Sequence, residues 1–348
     1  MKKIKIGNRL IGEGEPCFII AEAGSNHNGK LEQAKQLIDI AADAKADAVK
    51  FQTFLADKIV AKTKDRASYL DKLVNKNETI HDIFKKLELP RKWLKELFAY
   101  AESKELIFLS TPFDEEAVDL LDEIGVKAFK VASFEIVHLP LLRHIAKKGK
   151  PIILSTGMAN LSDIEEALET IYQEGNEQVI VLHCGINYPL SFEDVNLRGM
   201  LTIKQAFQIS VGYSDHTMGI TVPISAVTLG ASVVEKHFTI NRKLPGPDHP
   251  FALEPDELKS MVKEIRNTEK ALGSPTKRRT KSEEEMYKLG RRSIFAIRDI
   301  AKGKTIERED LAILRPGIGL HPRYLEKIMG RRTRVDIKKN EAITWDKI

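Results

Sequence analysis

The chain has 348 residues, 42% hydrophobic and 30% charged, long enough to bury a full core without covalent staples. Its two cysteines, Cys17 and Cys184, make neither a disulfide framework nor a four-cysteine zinc site, so a reducing, cytoplasmic setting is expected. The net charge of +5 is uneven, with 20 Lys/Arg against 11 Asp/Glu from Pro275 onward. A basic end can mean nucleic acid, but these basic residues lack the interleaved aromatics of single-strand platforms. No window approaches the ~18 apolar residues of a membrane span. The opening Met1-Lys2-Lys3-Ile4-Lys5-Ile6 runs into Gly-Asn-Arg, where a signal peptide would have an apolar stretch. Neither nucleic acid nor membrane is expected as a partner.

In chain order, Ile4–Gly12 alternates and turns at Gly7-Asn8, which predicts a hairpin suited to plugging the bottom of a barrel. Eight short β-branched, apolar runs follow: 17–24, 46–54, 106–113, 128–133, 151–158, 178–184, 209–216 and 232–239. Near-continuous apolar strands imply burial on both faces, hence a parallel sheet with helical crossovers. The intervening segments carry helical periodicity. Leu31, Ala34, Leu37, Ile38 and Ala41 share one face, as do Trp93, Leu94, Leu97, Phe98 and Ala101. The long gap between the second and third runs leaves Leu55–Glu105 room for an excursion. Eight strand–helix repeats in about 250 residues is the arithmetic of a (β/α)8 TIM barrel. A dinucleotide-type Gly-rich turn and a phosphate loop are both missing.

Charged sequence bearing Pro and Gly near 273–281 reads as a linker. Beyond it, Asp299–Ile306 returns weakly as Asp336–Ile343, which suggests paired short strands. The organisation expected is a barrel domain over 1–274 with its N-terminal hairpin, a linker over 275–289 and a small β-rich domain over 290–348.

A barrel of this type carries its active site at the C-terminal ends of its strands. Those ends supply Glu22; Lys50 and Gln52; Ser110 and Thr111; Lys130, Ser133 and Glu135; Ser155 and Thr156; His183; Ser214, Asp215 and His216; and Glu235, Lys236 and His237. One polar strand end is ordinary. Eight converging ends call for a ligand, because buried polar groups need partners. Lys50 and Lys130, with nearby hydroxyls, form a pocket for phosphate or carboxylate, though they could equally pair with Glu22 or Glu235, or one could form a Schiff base. His216 and His237 end neighbouring strands and can share one divalent metal, leaving positions for substrate oxygen and water. The stiff loop Leu244–Pro250 offers Asp248 as a positioning carboxylate, or is an ordinary turn.

These residues fall into motifs. Ala21–Gly29, Val49–Phe54, Ser110–Phe113, Leu154–Met158, Gly212–Thr217, Glu235–Thr239 and Pro245–His249 resemble the sialic acid synthase family, in the same order. The C-terminal part, with Arg315-Pro316-Gly317 and the repeat, resembles the antifreeze-like (SAF) domain of those enzymes. The resemblance implies a transferase that joins phosphoenolpyruvate to the open-chain form of an N-acetylhexosamine, giving a nine-carbon 2-keto acid and phosphate. N-acetylmannosamine is the first expectation for the sugar; a diacetamido-trideoxyhexose, giving legionaminic or pseudaminic acid, is the alternative. The resemblance further implies a divalent metal, Mn before Mg or Co, on His216 and His237. It implies phosphoenolpyruvate on Lys50, Thr111, Lys130, Ser133, Ser155 and Ser214, and the sugar on Gln52, Glu135, Tyr188 and Asp248. Glu22 would be the carboxylate beside the reacting carbons. In a domain-swapped homodimer, Arg315 would be contributed in trans.

The chain also departs from the family. The segment His183–Pro189 differs from the usual pattern and shifts Asn187 by one. Ser133-Phe134-Glu135 is similar to pseudaminic acid synthases, whereas Pro245–His249 is similar to the sialic and legionaminic branches. Two rivals compete with the synthase. One is a Schiff-base aldolase using pyruvate. The other is a non-catalytic SAF-type binding protein contacting nucleic acid through Arg331, Arg332 and Arg334.

Overall fold

A computed structural model of the chain describes residues 2–63 and 79–348. It contains two compact units, the first ending at Gly273 and the second spanning Ser274–Ile348.

The first unit opens with an antiparallel hairpin, β1 (Ile4–Ile6) and β2 (Arg9–Ile11). Eight parallel strands follow: β3 (Phe18–Gly24), β4 (Ala48–Thr53), β5 (Ile107–Pro112), β6 (Phe129–Val131), β7 (Ile152–Ser155), β8 (Val179–Cys184), β9 (Val211–Asp215) and β10 (Val233–His237). The ladder runs β5-β4-β3-β10-β9-β8-β7-β6. Its two ends, β5 and β6, pack side by side, so the sheet is a nearly closed cylinder. Helices cover its outside. Leu31–Asp43 buries Ala34, Leu37, Ile38 and Ala41 on the face anticipated from their spacing. Of the excursion expected over Leu55–Glu105, residues 64–78 lie outside those described. The rest holds helices Ala56–Ile59, Ile80–Leu87 and Leu94–Ser103.

Alternation along each strand sorts two cores. Ile19, Val49, Phe108, Phe129, Ile152, Val181, Tyr213 and Val234 pack outward under the helices. Phe18, Ile20, Ala48, Leu109, Ala128, Ile153, Ile180, Leu182 and Val233 fill the interior, where Ile4, Ile6 and Ile11 of the hairpin join them. The hairpin therefore plugs the N-terminal end of the barrel. Side chains alternate with period two, so the next inward positions along the strands are Glu22, Lys50, Thr111, Lys130, Ser155, Cys184, Ser214 and Glu235. A dry lower layer thus gives way to a polar upper one.

The second unit pairs β11 (Ser293–Ala296) antiparallel with β12 (Leu311–Leu314). Its internal repeat is structural. Ile300 and Ile337 exchange backbone hydrogen bonds of 2.8 and 2.9 Å. Asp299 accepts from the Lys339 amide at 2.8 Å, and Asp336 accepts from the Lys302 amide at 2.7 Å. Ile300, Ile306, Ile337 and Ile343 form its core. The stretch read as a linker, 275–289, is only partly irregular, because Glu284–Gly290 is helical. Thr280 and Glu283 make a capping box that starts this run, a Thr-x-x-Glu signal present in the sequence.

Candidate active site

At the C-terminal end of the barrel lies a cavity of about 720 Å³. Glu22, Lys50, Gln52, Thr111, Lys130, Ser133, Glu135, Ser155, Tyr188, Ser214, His216, His237 and Asp248 all line it. The remaining residue anticipated for the site, Arg315, is exposed in the second unit.

The floor is a charge network. The Glu22 carboxylate lies 2.9 Å from the Lys50 ammonium and accepts from Gln52 at 2.9 Å. Lys50 also donates to Thr111 at 3.1 Å. Lys130 donates to Ser155 at 2.8 Å. Glu235 sits between the two lysines, 3.8 Å from Lys50 and 3.4 Å from Lys130, and accepts from Ser214 at 3.0 Å. Burial pushes the Glu22 carboxyl above the usual carboxylate range, against the attraction of Lys50. Burial also lowers Lys130. It acts the same way on Lys50, but Glu22 and Glu235 outweigh it and hold that ammonium above its ordinary value. Glu235 emerges as the bridge between the cations, a pairing the sequence left open among several.

Backbone shape delivers these groups. The β3–β4 register shifts between Glu22 and Gly24, and Gly24 adopts φ +51°. A Cβ there would lie 3.0 Å from an Asp248 oxygen and 3.5 Å from a Glu22 oxygen. Glycine thus lets the strand end pass between the two carboxylates. At Gly157 a Cβ would meet Ile186 at 2.4 Å, while the Gly157 amide donates to Ser133 at 2.9 Å.

Alternation also separates strand-end residues that the sequence grouped together. Asp215 and Lys236 face outward and form an ion pair with both side chains fully buried. Asp215 accepts from the amide and hydroxyl of Thr217, each at 3.1 Å, and Lys236 donates to the Thr217 carbonyl. Ser110 bonds Thr53 at 2.8 Å, and His183 donates to the Val195 carbonyl at 3.0 Å. None of these four lines the cavity.

The His216 and His237 rings lie 5.4 Å apart. The His216 Nδ1 donates to the Gly185 carbonyl at 2.8 Å, which leaves Nε2 as the lone-pair nitrogen of the neutral ring. The His237 Nδ1 is buried with no hydrogen-bond partner, 3.8 Å from Asp248. Burial first, then the His216 charge, holds His237 well below its usual value, hence neutral. The Tyr188 ring packs on His216 at 4.5 Å. No group of three or more His, Cys, Asp or Glu suited to a metal occurs among the described residues. Two imidazoles at one mouth, one of them neutral with an orphaned nitrogen, still fit a divalent cation with positions left for substrate oxygen and water.

A charged floor of this kind, two imidazoles above it and a roomy mouth suit a small polyanion and a second, larger substrate. Comparison with known proteins agrees. Residues 37–277 match the NeuB family. The chain belongs to that family. Residues 291–348 match the SAF domain. The chain is 46% identical to N,N'-diacetyllegionaminic acid synthase of Campylobacter jejuni, over 94% of this chain and 98% of that one. It is 44% identical to the enzyme of the same name from Legionella pneumophila, over 97% and 96%. A solved N-acetylneuraminic acid (sialic acid) synthetase from Leptospira borgpetersenii superposes with TM-score 0.74 at 37% identity, covering 82% of this chain and 94% of that one. The chain is accordingly a phosphoenolpyruvate-dependent, sialic-acid-type synthase, a transferase. Such synthases generally use a divalent metal. No helix among the described residues is long and apolar enough to cross a membrane.

Proposed function

We propose that the synthase condenses phosphoenolpyruvate with an unphosphorylated diacetamido-trideoxyhexose, releasing phosphate and a legionaminic-type nine-carbon 2-keto acid. The observation that carries this reading is the distribution of charge in the cavity. Among its described lining residues, the only lysines or arginines are Lys50 and Lys130, and both are engaged at the floor. That floor suits one phosphate, and a sugar phosphate would bring a second dianion without a counter-charge from these residues. The higher identity to the two legionaminic acid synthases supports the same sugar, ahead of N-acetylmannosamine.

Phosphoenolpyruvate would take its place over Lys50, Thr111, Lys130, Ser133, Ser155 and Ser214. The lysines would balance its phosphate, and Glu235 would hold them apart and oriented. Gln52, Glu135, Tyr188 and Asp248 would orient the sugar. A divalent cation on His216 and His237, Mn before Mg or Co, would supply Lewis-acid polarisation of the aldehyde. C3 of the enol attacks the aldehyde carbon, forming the new C–C bond and leaving C2 electron-poor. Water adds to C2, and Glu22, its basicity raised by burial, accepts the proton. The C2–O bond to phosphorus then breaks as the C2 hydroxyl gives its proton to the departing phosphate, C2 becomes the ketone, the proton held by Glu22 passes to the alkoxide left from the aldehyde, and inorganic phosphate leaves toward Lys50 and Lys130.

We place Arg315 as a sugar-site residue donated in trans within a domain-swapped homodimer, and the enzyme in the cytoplasm. Mixed dimers of Arg315→Ala and Glu22→Ala chains should recover part of the activity that each variant lacks. Demonstrated heterodimers without recovery would remove the shared site. The sugar is tested with phosphoenolpyruvate and a panel of N-acetylmannosamine, its 6-phosphate and the two diacetamido-trideoxyhexoses leading to legionaminic and pseudaminic acids. Turnover of the legionaminic precursor at the highest kcat/KM is expected. Preference for N-acetylmannosamine or its phosphate would overturn the reading.

A further inference from the structure

The cavity has a second character above its polar floor. Helix Ile80–Leu87 turns Ile80, Ile83, Phe84 and Leu87 toward it, the i, i+3, i+4, i+7 stripe of an amphipathic helix. In most globular helices that stripe meets a core. Here it meets the cavity and two further aromatic residues that line it. The Phe84 ring lies 5.6 Å from Phe54, and Phe54 lies 5.7 Å from Phe113 in an edge-on arrangement. Phe54 directly follows β4 and Phe113 directly follows β5, so the segments leaving the strands and the inserted helix together make one apolar wall. The opposite side of the helix is polar. His81 meets Asp57 at 2.9 Å, and Lys85 meets the same carboxylate at 3.4 Å. The helix is therefore held by polar contacts on one side and presents its apolar side to the substrate space.

We infer that this wall determines sugar specificity by receiving the deoxygenated, methyl-bearing end of the hexose. The inference rests on the proposed diacetamido-trideoxyhexose. A methyl group buried against Phe84 and Ile83 loses water at no polar cost. A hydroxymethyl group in the same place would have no hydrogen-bond partner from these six side chains, and an unpaired buried hydroxyl is penalised. The wall thus selects by leaving a polar competitor unsatisfied, and methyl-sized differences in such pockets change kcat/KM by roughly 10- to 200-fold.

The test compares the legionaminic precursor with N-acetylmannosamine at saturating phosphoenolpyruvate, in wild type, Phe84→Ala, Phe84→Leu and Ile83→Thr. Phe84→Ala and Ile83→Thr should lower the kcat/KM ratio of the two sugars by about tenfold or more. The loss should fall on KM for the deoxy sugar, with KM for phosphoenolpyruvate unchanged. Phe84→Leu, which keeps an apolar surface, should hold the ratio within about threefold, the scatter expected of a conservative apolar swap. If the wild type favours the deoxy sugar yet Phe84→Ala and Ile83→Thr leave the ratio unchanged, the wall is not the determinant and the proposed function stands. If the wild type favours N-acetylmannosamine, the proposed function fails and this inference falls with it. A ratio lowered as much by Phe84→Leu as by Phe84→Ala would mean that the ring acts through the fold, which also overturns it. Should Phe84→Ala lose its cooperative thermal transition, the Ile83→Thr ratio decides.

Discussion

Glu22 shows how much one side chain depends on its surroundings here. An exposed glutamate would be a weak base. Burial raises its carboxyl against the opposing pull of Lys50 and the Gln52 hydrogen bond, which improves the match to a proton-accepting role near neutral pH. Glu22→Gln keeps the shape and removes the base, so kcat should fall by about 10²- to 10⁴-fold with an unchanged circular dichroism spectrum; rates near wild type would exclude Glu22 from the chemistry. Glu135 offers a titration. Burial raises its carboxyl, with His138 opposing. A group with a raised pKa takes up its proton at a higher pH than in water. If its carboxylate holds sugar hydroxyls, KM for the sugar should rise as pH falls through a value above 4.5. Glu135→Gln should raise KM and flatten that dependence, measured at constant phosphoenolpyruvate. At Gly157, alanine would drive a Cβ into Ile186, and KM for phosphoenolpyruvate should rise as Ser133 is displaced.

At the scale of elements, β9 and β10 do two jobs at once. Their inward residues Ser214, Glu235 and His237 belong to the site, and the outward Asp215–Lys236 pair locks the same two strands from behind. Removing one partner of a buried pair leaves an uncompensated charge, so Lys236→Met should destabilise the barrel by about 3–5 kcal/mol, read from urea denaturation. Replacing both partners, Asp215→Leu with Lys236→Met, should recover much of that loss. A single variant as stable as wild type would show that the pair carries little. The same alternation explains how Asp215, Lys236, Ser110 and His183 came to be grouped with the site from sequence. They end strands, but strand ends have two faces.

At the scale of the molecule, two units with separate cores divide the stability. In the second unit Asp310 is fully buried and accepts from Arg298 at 2.6 Å, Lys304 at 3.0 Å and the Glu307 amide at 2.9 Å. Burial alone would raise its carboxyl, but these donors hold it below the ordinary value. A depressed carboxylate contributes stability that is present above its unfolded pKa of about 3.9 and is lost as pH falls through the lower folded value. The thermal transition of the full chain assigned to residues 274–348 should therefore drop below about pH 4, and Asp310→Asn should lower it already at pH 7 by about 1–3 kcal/mol. An acid-insensitive transition would remove Asp310 from that role.

Much of this architecture was legible beforehand. Near-continuous apolar, β-branched runs gave eight strands, their spacing gave a barrel, and the repeat at Asp299 and Asp336 gave paired short segments, because burial patterns are written locally in residue order. Strand ends likewise pointed to Glu22, Lys50, Lys130, His216 and His237 as neighbours, and all five line the one cavity. What only the tertiary structure decided was which groups meet. Glu235 between two lysines, Asp215 and Lys236 turned away from the cavity, and the Ile80–Leu87 stripe turned toward it all depend on register and on which neighbour a face meets. Those are properties of pairings between residues distant in the chain, and hydrophobic periodicity records that a face is buried without recording what buries it.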